Sequence, residues 1–269
     1  MLVGASVGFL IGYQSGSLLA GMIAAMLVGA VFSLVLGYFT TSLKMNQFVV
    51  GLALLFVGIG LSTLLPKLII GVTMQQPTVP TLKDIPIPLL SQIPLLGPVL
   101  FNQNILVYLS IVATVVLWWF LYRTRIGLEL RSVGENPMAA DSLGVNVTRW
   151  RYVASLIGGM MIGLAGAYLP MVYTGTFTEG IVRGRGWIAI ALTFFGGWSP
   201  LPIFFGSLFF AGIEVLTFRV QVGGSLVPYQ FLQMLPYIAT ILVMVFSFRR
   251  SRIPGFLGNN YDREKRSLA

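Results

Sequence analysis

The chain has no cysteine and no histidine among its 269 residues, and only 9% of its side chains are charged. Without thiols it can form neither a disulfide nor a thiolate nucleophile. Without imidazole it lacks the commonest metal ligand and the usual proton shuttle at neutral pH. No lysine follows a glycine, which excludes a Walker-type GxxxxGK[ST] phosphate loop and with it autonomous ATP hydrolysis of that kind. We therefore expect no enzyme, no cofactor and no metal site.

What the chain has in abundance is apolar length. Hydrophobic residues make up 56% of it and the mean hydropathy is +0.87, whereas soluble chains carry roughly a quarter charged residues. Runs of about 18 or more apolar residues recur, each long enough for a helix through roughly 30 Å of hydrocarbon. The expected fold class is all-α and polytopic in the membrane, with about 8 membrane segments, some short or broken.

Residues 2–13 are short for a full crossing, which suggests a re-entrant or truncated first helix. Gly4, Gly8, Gly12, Gly16, Ala20 and Ala24 keep a four-residue spacing that puts small residues on one ridge, open to close helix contact. Spans follow at 17–39 and 46–65, the second stopping at Pro66. From 66 to 103 the chain is proline-rich, which suits an external loop with short interfacial pieces. Residues 104–122 span again and close on Trp118, Trp119 and Tyr122 at the interface. Residues 152–173 form the next span, with Gly159 and Gly163 as a GxxxG pair. The apolar stretch 187–217 is broken by Gly196, Gly197, Pro200 and Pro202, so two short segments are expected, 187–198 and 202–217. Residues 230–248 make the last span, and 249–269 form a basic tail. No cleavable signal peptide is evident, since no basic n-region precedes the first apolar run.

The net charge of +9 lies in loops beside apolar segments, which positive-inside topology explains without nucleic acid. Lys44, residues 123–151 and the tail, placed in the cytoplasm, put 12 of the 17 Lys and Arg inside. Lys67, Lys83, Arg183, Arg185 and Arg219 stay outside, and both termini are cytoplasmic. Glu214, a carboxylate among apolar residues, is either a functional group at bilayer depth or, the favoured reading, paired with Arg219 about one turn away at the external interface. The chain thus reads as one transmembrane domain, 1–269, with a cytoplasmic loop at 123–151 and a cytoplasmic tail at 249–269.

That loop contains a small, well-punctuated helix: Asn136 as N-cap, Pro137 at the first helical position, and Gly144 as the stop. The Asn146-Val147-Thr148 sequon is read as a chance match on the cytoplasmic side. The segment SVGENPMAADSLGVNV (132–147) resembles the cytoplasmic coupling region of ABC-importer permeases of the branched-chain amino acid, ribose and nucleoside class. Gly134, Glu135, Asn136-Pro137, Ala139-Ala140, Leu143-Gly144 and Val145 carry the resemblance, and RTRIGLELR (123–131) is similar to the family's Thr, Gly and basic lead-in. LKMNQFVVGLALLFVGIGLSTLL (43–65) and GRGWIAIALTFFGGWSPL (184–201) extend it over most of the chain, closest to simple-sugar and nucleoside permeases. Such permeases usually begin with one or two more helices and a Glu-Gly, so a shortened version is expected.

The resemblance implies a multi-pass permease subunit of the bacterial plasma (inner) membrane, translocating a nucleoside or simple sugar. It implies an ABC ATPase subunit, a second permease subunit (homo- or heterodimer) and an extracytoplasmic solute-binding protein as partners. ATPase coupling would fall to Gly134, Glu135, Asn136, Pro137, Ala139, Ala140, Leu143 and Gly144. Contact with the binding protein would fall to Glu179, Arg183 and Arg185. The alternative is a stand-alone secondary transporter of a small polar solute. Such transporters generally keep ionisable groups inside the bundle, and the spans here are almost free of them.

Overall fold

The computed structural model describes residues 1–71, 77–86, 101–223, 228–247 and 253–262. The prolines at 88, 94 and 98, and the tail's Arg249, Arg250, Arg252, Arg263, Lys265 and Arg266, lie outside the described residues. The helices are α1 (Leu2–Ser15), α2 (Leu18–Gly37, closed by a π turn Tyr38–Ser42), α3 (Gln47–Ile69), α4 (Ile105–Arg123) and α5 (Arg125–Glu135). They continue as α6 (Pro137–Ser142), α7 (Val147–Tyr168, closed by a π turn Leu169–Tyr173), α8 (Arg185–Phe195), α9 (Pro200–Val222) and α10 (Tyr229–Ser247). Two three-residue strands, β1 (Asp84–Pro86) and β2 (Asn102–Asn104), pair antiparallel with Asp84 opposite Asn104. This ribbon and an isolated antiparallel bridge between Thr78 and Thr176 are the departures from an all-α chain among the described residues.

Among the described residues five helices are long and apolar enough to cross a membrane: Leu18–Ser42, Gln47–Ile69, Ile105–Arg123, Val147–Tyr173 and Pro200–Val222. Shorter apolar helices are Leu2–Ser15, Arg185–Phe195 and the stretch Gln230–Leu242. The protein is a multi-pass α-helical membrane protein.

The chain divides into two compact units. The first comprises Met1–Tyr108, Glu129–Arg183 and Gly258–Ala269. Its centre is α1, α2 and α7, which touch backbone to backbone through small residues. A Cβ on Gly29 would collide with the carbonyl of Gly159, one on Gly163 with the carbonyl of Ala25, and one on Gly21 with the carbonyl of Gly8. In lipid no hydrophobic force separates helix from tail, so such close van der Waals contact is what associates helices. The expected ridge holds through Gly4, Gly8 and Gly12, all buried, and then changes register. Gly16 adopts φ 66 and ends α1, while the Ser17 hydroxyl accepts from the Ala20 amide to begin α2. The contact face of α2 is consequently Gly21, Met22 and Ala25 rather than Ala20 and Ala24. Gly4 to Gly8 also spells the GxSxG of a nucleophile turn, but Ser6 lies fully buried inside α1.

Two helix boundaries in this unit depart most from the sequence expectation. α3 runs through Pro66 and stops at Gly71, whose φ is 81; a proline near a helix end removes one backbone bond without ending the helix. α7 begins at Val147 because Asn146 caps it, accepting from the Arg149 amide at 2.9 Å. That bond also gives the sequon asparagine a structural task.

The second unit comprises Leu109–Leu128 and Gly184–Leu257. Within it α8, α9 and α10 pack on one another. The expected break at Gly196 and Gly197 is present, with Trp198 at φ 56. α9, however, is not short. Pro200 and Pro202 sit in its first turn, where backbone N–H groups have no helical acceptor to lose, so they start the helix instead of shortening it.

Candidate functional site

The polar stretch at 123–151 is three consecutive capped helices rather than a loop with one. Thr124 opens α5: its hydroxyl accepts from the Gly127 amide at 3.0 Å. A Cβ on Gly127 would collide with the Phe120 carbonyl, so the turn from α4 into α5 needs a glycine there. Asn136 opens α6, its Oδ1 accepting from the Ala139 amide at 3.0 Å, with Pro137 next. Asn146 opens α7. Each such cap contributes about 1 kcal/mol.

The end of α6 is a Schellman motif. The Val145 amide donates to the Ala140 carbonyl and the Gly144 amide to the Asp141 carbonyl, both at 3.0 Å, with Gly144 at φ 84. Ala140 and Val145 also pack together in an apolar cluster with Val133, Val147, Trp150 and Tyr261. The Trp150 indole N–H donates to Glu129 Oε2 at 3.0 Å, which pins α5 to α7.

This packing divides the eight coupling candidates. Pro137 and Ala140 face inward, Ala140 being 1% exposed. Glu135, Asn136, Ala139, Leu143 and Gly144 are exposed and Gly134 is half-buried. Leu143 is 84% exposed, with Met138 beside it at 39%. An apolar pair stands outward on a six-residue helix whose opposite face is fixed.

The C-terminal segment 258–262 docks at the same end of the unit. The Asn260 amide donates to the carbonyls of Lys44 (2.5 Å) and Met45 (3.0 Å), and Asp262 pairs with the Lys44 ammonium at 2.7 Å. Arg151 donates to the Asn259 carbonyl at 3.2 Å. Between the segment, the α2–α3 turn and the start of α7 lies an open cleft of about 630 Å³ lined by Lys44, Asp141, Asn146, Arg149, Tyr261 and Asp262. The three regions expected in the cytoplasm thus meet at one end of α3.

The other end of α3 gathers residues expected outside. Lys67 pairs with Glu179 at 2.8 Å, both more than half exposed. The Val79 amide donates to the Gly175 carbonyl at 2.9 Å, and Ile181 and Val182 are buried against Ala5 and Leu169. Arg183 is exposed with φ 44.

Arg185 has a different setting. It begins α8 in the second unit and forms an ion pair with Glu214 on α9. This replaces the expected Glu214–Arg219 pair: five residues along a helix turn about 140°, which points the two side chains to different faces. The Arg185 and Glu214 side chains are 27% and 49% exposed, so the pair is worth about 1 kcal/mol. Glu214→Arg is expected to lower the melting temperature of the detergent-purified protein by several degrees, and Arg185→Glu added to it to restore most of the loss.

Sequence reading missed Asn260, Tyr261 and Asp262, whose only local signal is a short polar run ending in one acid inside a basic tail. It also passed over the caps Thr124 and Asn146, although cap chemistry is local and was available at both.

Comparison with known proteins agrees with this architecture. Residues 1–247 match the family model described as branched-chain amino acid transport system / permease component. A nucleoside ABC transporter permease protein of Lactococcus lactis is 36% identical, over 89% of this chain and 76% of its own. A guanosine ABC transporter permease protein of Bacillus subtilis is 34% identical, over 91% and 78%. A protein of Haloferax volcanii, provisionally named a glucose ABC transporter permease, is 32% identical over 98% and 87%. No solved structure matches. The chain belongs to the permease-component family of branched-chain amino acid transport systems and is a transmembrane permease component of an ABC-type importer for a small polar solute.

Proposed function

We propose that this permease translocates a nucleoside or simple sugar, delivered by an extracytoplasmic binding protein and driven by ATPase subunits seated on α6. The observation that carries the ATPase assignment is the two-sidedness of α6. Ala140 is locked beneath it, and Leu143 and Met138 stand free above. A short, rigid helix with a small apolar crown fits a groove in a nucleotide-binding subunit and transmits its movement as a rigid body.

Sidedness follows from the same end of the molecule. Lys44, Arg131, Arg149, Arg151 and the docked C-terminal segment share it, and this end is assigned to the cytoplasm of a plasma membrane. The expected cytoplasmic N-terminus is not kept, because Met1 packs with Leu169, Ile181 and Val182 toward the other end of α3. Glu179 and Arg183 then face the binding protein. Arg185 is set apart from them, being engaged with Glu214. Both compact units belong to one permease domain, which pairs with a second permease chain, and the solute crosses between the two permease chains. The substrate class rests on the glucose, nucleoside and guanosine in the names of its relatives.

The test is reconstitution in proteoliposomes with a second permease chain, the ATPase and the binding protein encoded beside it. Labelled guanosine, ribose and leucine are supplied in turn. We expect ATP- and binding-protein-dependent uptake of guanosine or ribose, and none of leucine. Uptake driven by an ion gradient without the ATPase would instead establish a secondary transporter.

A further inference from the structure

We infer that Asn260, Tyr261 and Asp262 are positioning residues for energy coupling: they tie α6 from beneath to the α2–α3 turn, so that force applied at Leu143 reaches α2 and α3 as well as α7. The inference rests on the reading of α6 as the ATPase contact.

The tie has two anchored ends. At one, Tyr261 packs into the apolar cluster built from one residue of each coupling helix, Val133 of α5, Ala140 of α6 and Val147 of α7. At the other, Asn260 holds the Lys44 and Met45 carbonyls and Asp262 holds the Lys44 ammonium. The two ends sit on adjacent residues, with no intervening chain to absorb slack between them. Arg151 on α7 fixes the segment from the side through the Asn259 carbonyl.

Lys44 itself argues that this contact sets the shape of the turn. Its φ is 53, in the left-handed region that a lysine occupies only where its surroundings hold it. The amides on either side of it, Leu43 and Met45, donate to the Tyr38 and Phe39 carbonyls, and to this local closure Asn260 adds a bond on the Lys44 carbonyl and Asp262 an ion pair on its side chain. The turn carries on directly into α3, whose first amides are capped by Asn46. A displacement of α6 by an ATPase subunit therefore moves Tyr261, and with it the start of α3 and the end of α2.

The chain has no cysteine, so a single Leu43→Cys places a unique thiol on this turn at a side chain 49% exposed. In the assembled complex, trapping the ATPase with ATP and vanadate is expected to change the rate of maleimide labelling at residue 43 about fivefold. With Tyr261→Ala or Asp262→Lys added, the change should fall below twofold while the ATPase subunits stay bound. Lys44→Asp together with Asp262→Lys should recover it, which a loss of folding would not allow. An unchanged ATP response in Tyr261→Ala and Asp262→Lys, or no response in the parent protein, overturns the tie. Leu143→Asp separates the two readings: if it still retains the ATPase subunits, the α6 assignment is what fails, whatever the labelling at residue 43 shows. Should Tyr261→Ala not insert, the Lys44–Asp262 charge exchange decides alone.

Discussion

Gly163→Leu is expected to remove nearly all monodisperse protein from detergent extracts, whereas Gly158→Leu, on the same helix, should leave the yield within about twofold. Gly163 faces two helices at once. A Cβ there would collide with the Ala25 carbonyl oxygen on α2 and approach the carbonyl carbon to 2.9 Å. A Cβ on Gly4 of α1 would in turn lie 2.6 Å from the Gly163 carbonyl. These obstacles are backbone atoms, which cannot rotate aside as a side-chain end can. Relief requires α2 and α7 to separate, and with them the Gly29–Gly159 approach one turn away. Overpacking in a compact core costs about 1–3 kcal/mol, more where nothing yields, against a total stability of about 5–15 kcal/mol. At Gly158 a Cβ meets nothing within 4 Å. Size-exclusion profiles of the two variants decide the matter, and equal profiles would mean that the α2–α7 contact is not what holds the first unit together.

The glycines of this contact were legible because the physics of helix association in lipid is itself local in sequence: small residues four apart mark a face. What the pattern does not carry is where a face ends. The four-residue rhythm continues through Gly16, Ala20 and Ala24, yet Gly16 turns left-handed and Ser17 starts a new helix, so the ridge on α2 moves over by one residue. The short capped helix α6 was legible for the same reason as the glycines. Asn136, Pro137 and Gly144 act within their own turn, and the structure places each in the expected role, as N-cap, first helical residue and left-handed stop.

Non-local pairings were not legible. Glu214 has Arg219 close by in sequence but meets Arg185, 29 residues away, because the turn at Gly196–Gly197 folds α8 back along α9. Asn260 finds its acceptor 216 residues back, at Lys44. Nothing in a hydropathy profile marks a short tail segment as the underside of a helix more than a hundred residues earlier. The first helix of the polar stretch, α5, lay between these cases. Thr124 and Gly127 were noticed only through resemblance, although a hydroxyl three residues before a needed glycine is readable as a helix start.

The two faces of α6 are expected to fail in different ways when altered, and that difference is the sharpest check on the coupling assignment. Leu143→Asp, or Ala139→Trp, changes only an exposed side chain on a helix whose caps and underside remain intact. Insertion and thermal stability should stay near those of the parent. Retention of the ATPase subunits should fall at least tenfold, since an apolar anchor in a groove commonly contributes 2 kcal/mol or more, and ATP-driven uptake should be lost with it. Ala140→Trp acts on the other face. Ala140 is 1% exposed against Val133, Val147 and Tyr261, so an indole there has no room; the expected result is a lower melting temperature and poor yield, with ATPase binding lost only as a consequence. A variant that changes Ala139 and Ala140 together would mix a surface effect with a packing effect, so the two substitutions are better made apart. Measured side by side, ATPase retention in detergent and melting temperature give each variant a position on two axes. If Leu143→Asp and Ala139→Trp bind the ATPase and transport as the parent does, α6 is a connector and the engine engages the permease elsewhere. If they lose the ATPase at unchanged stability while Ala140→Trp loses stability first, then the outward crown of Leu143, Met138 and Ala139 is where ATP closure is converted into movement of the spanning helices.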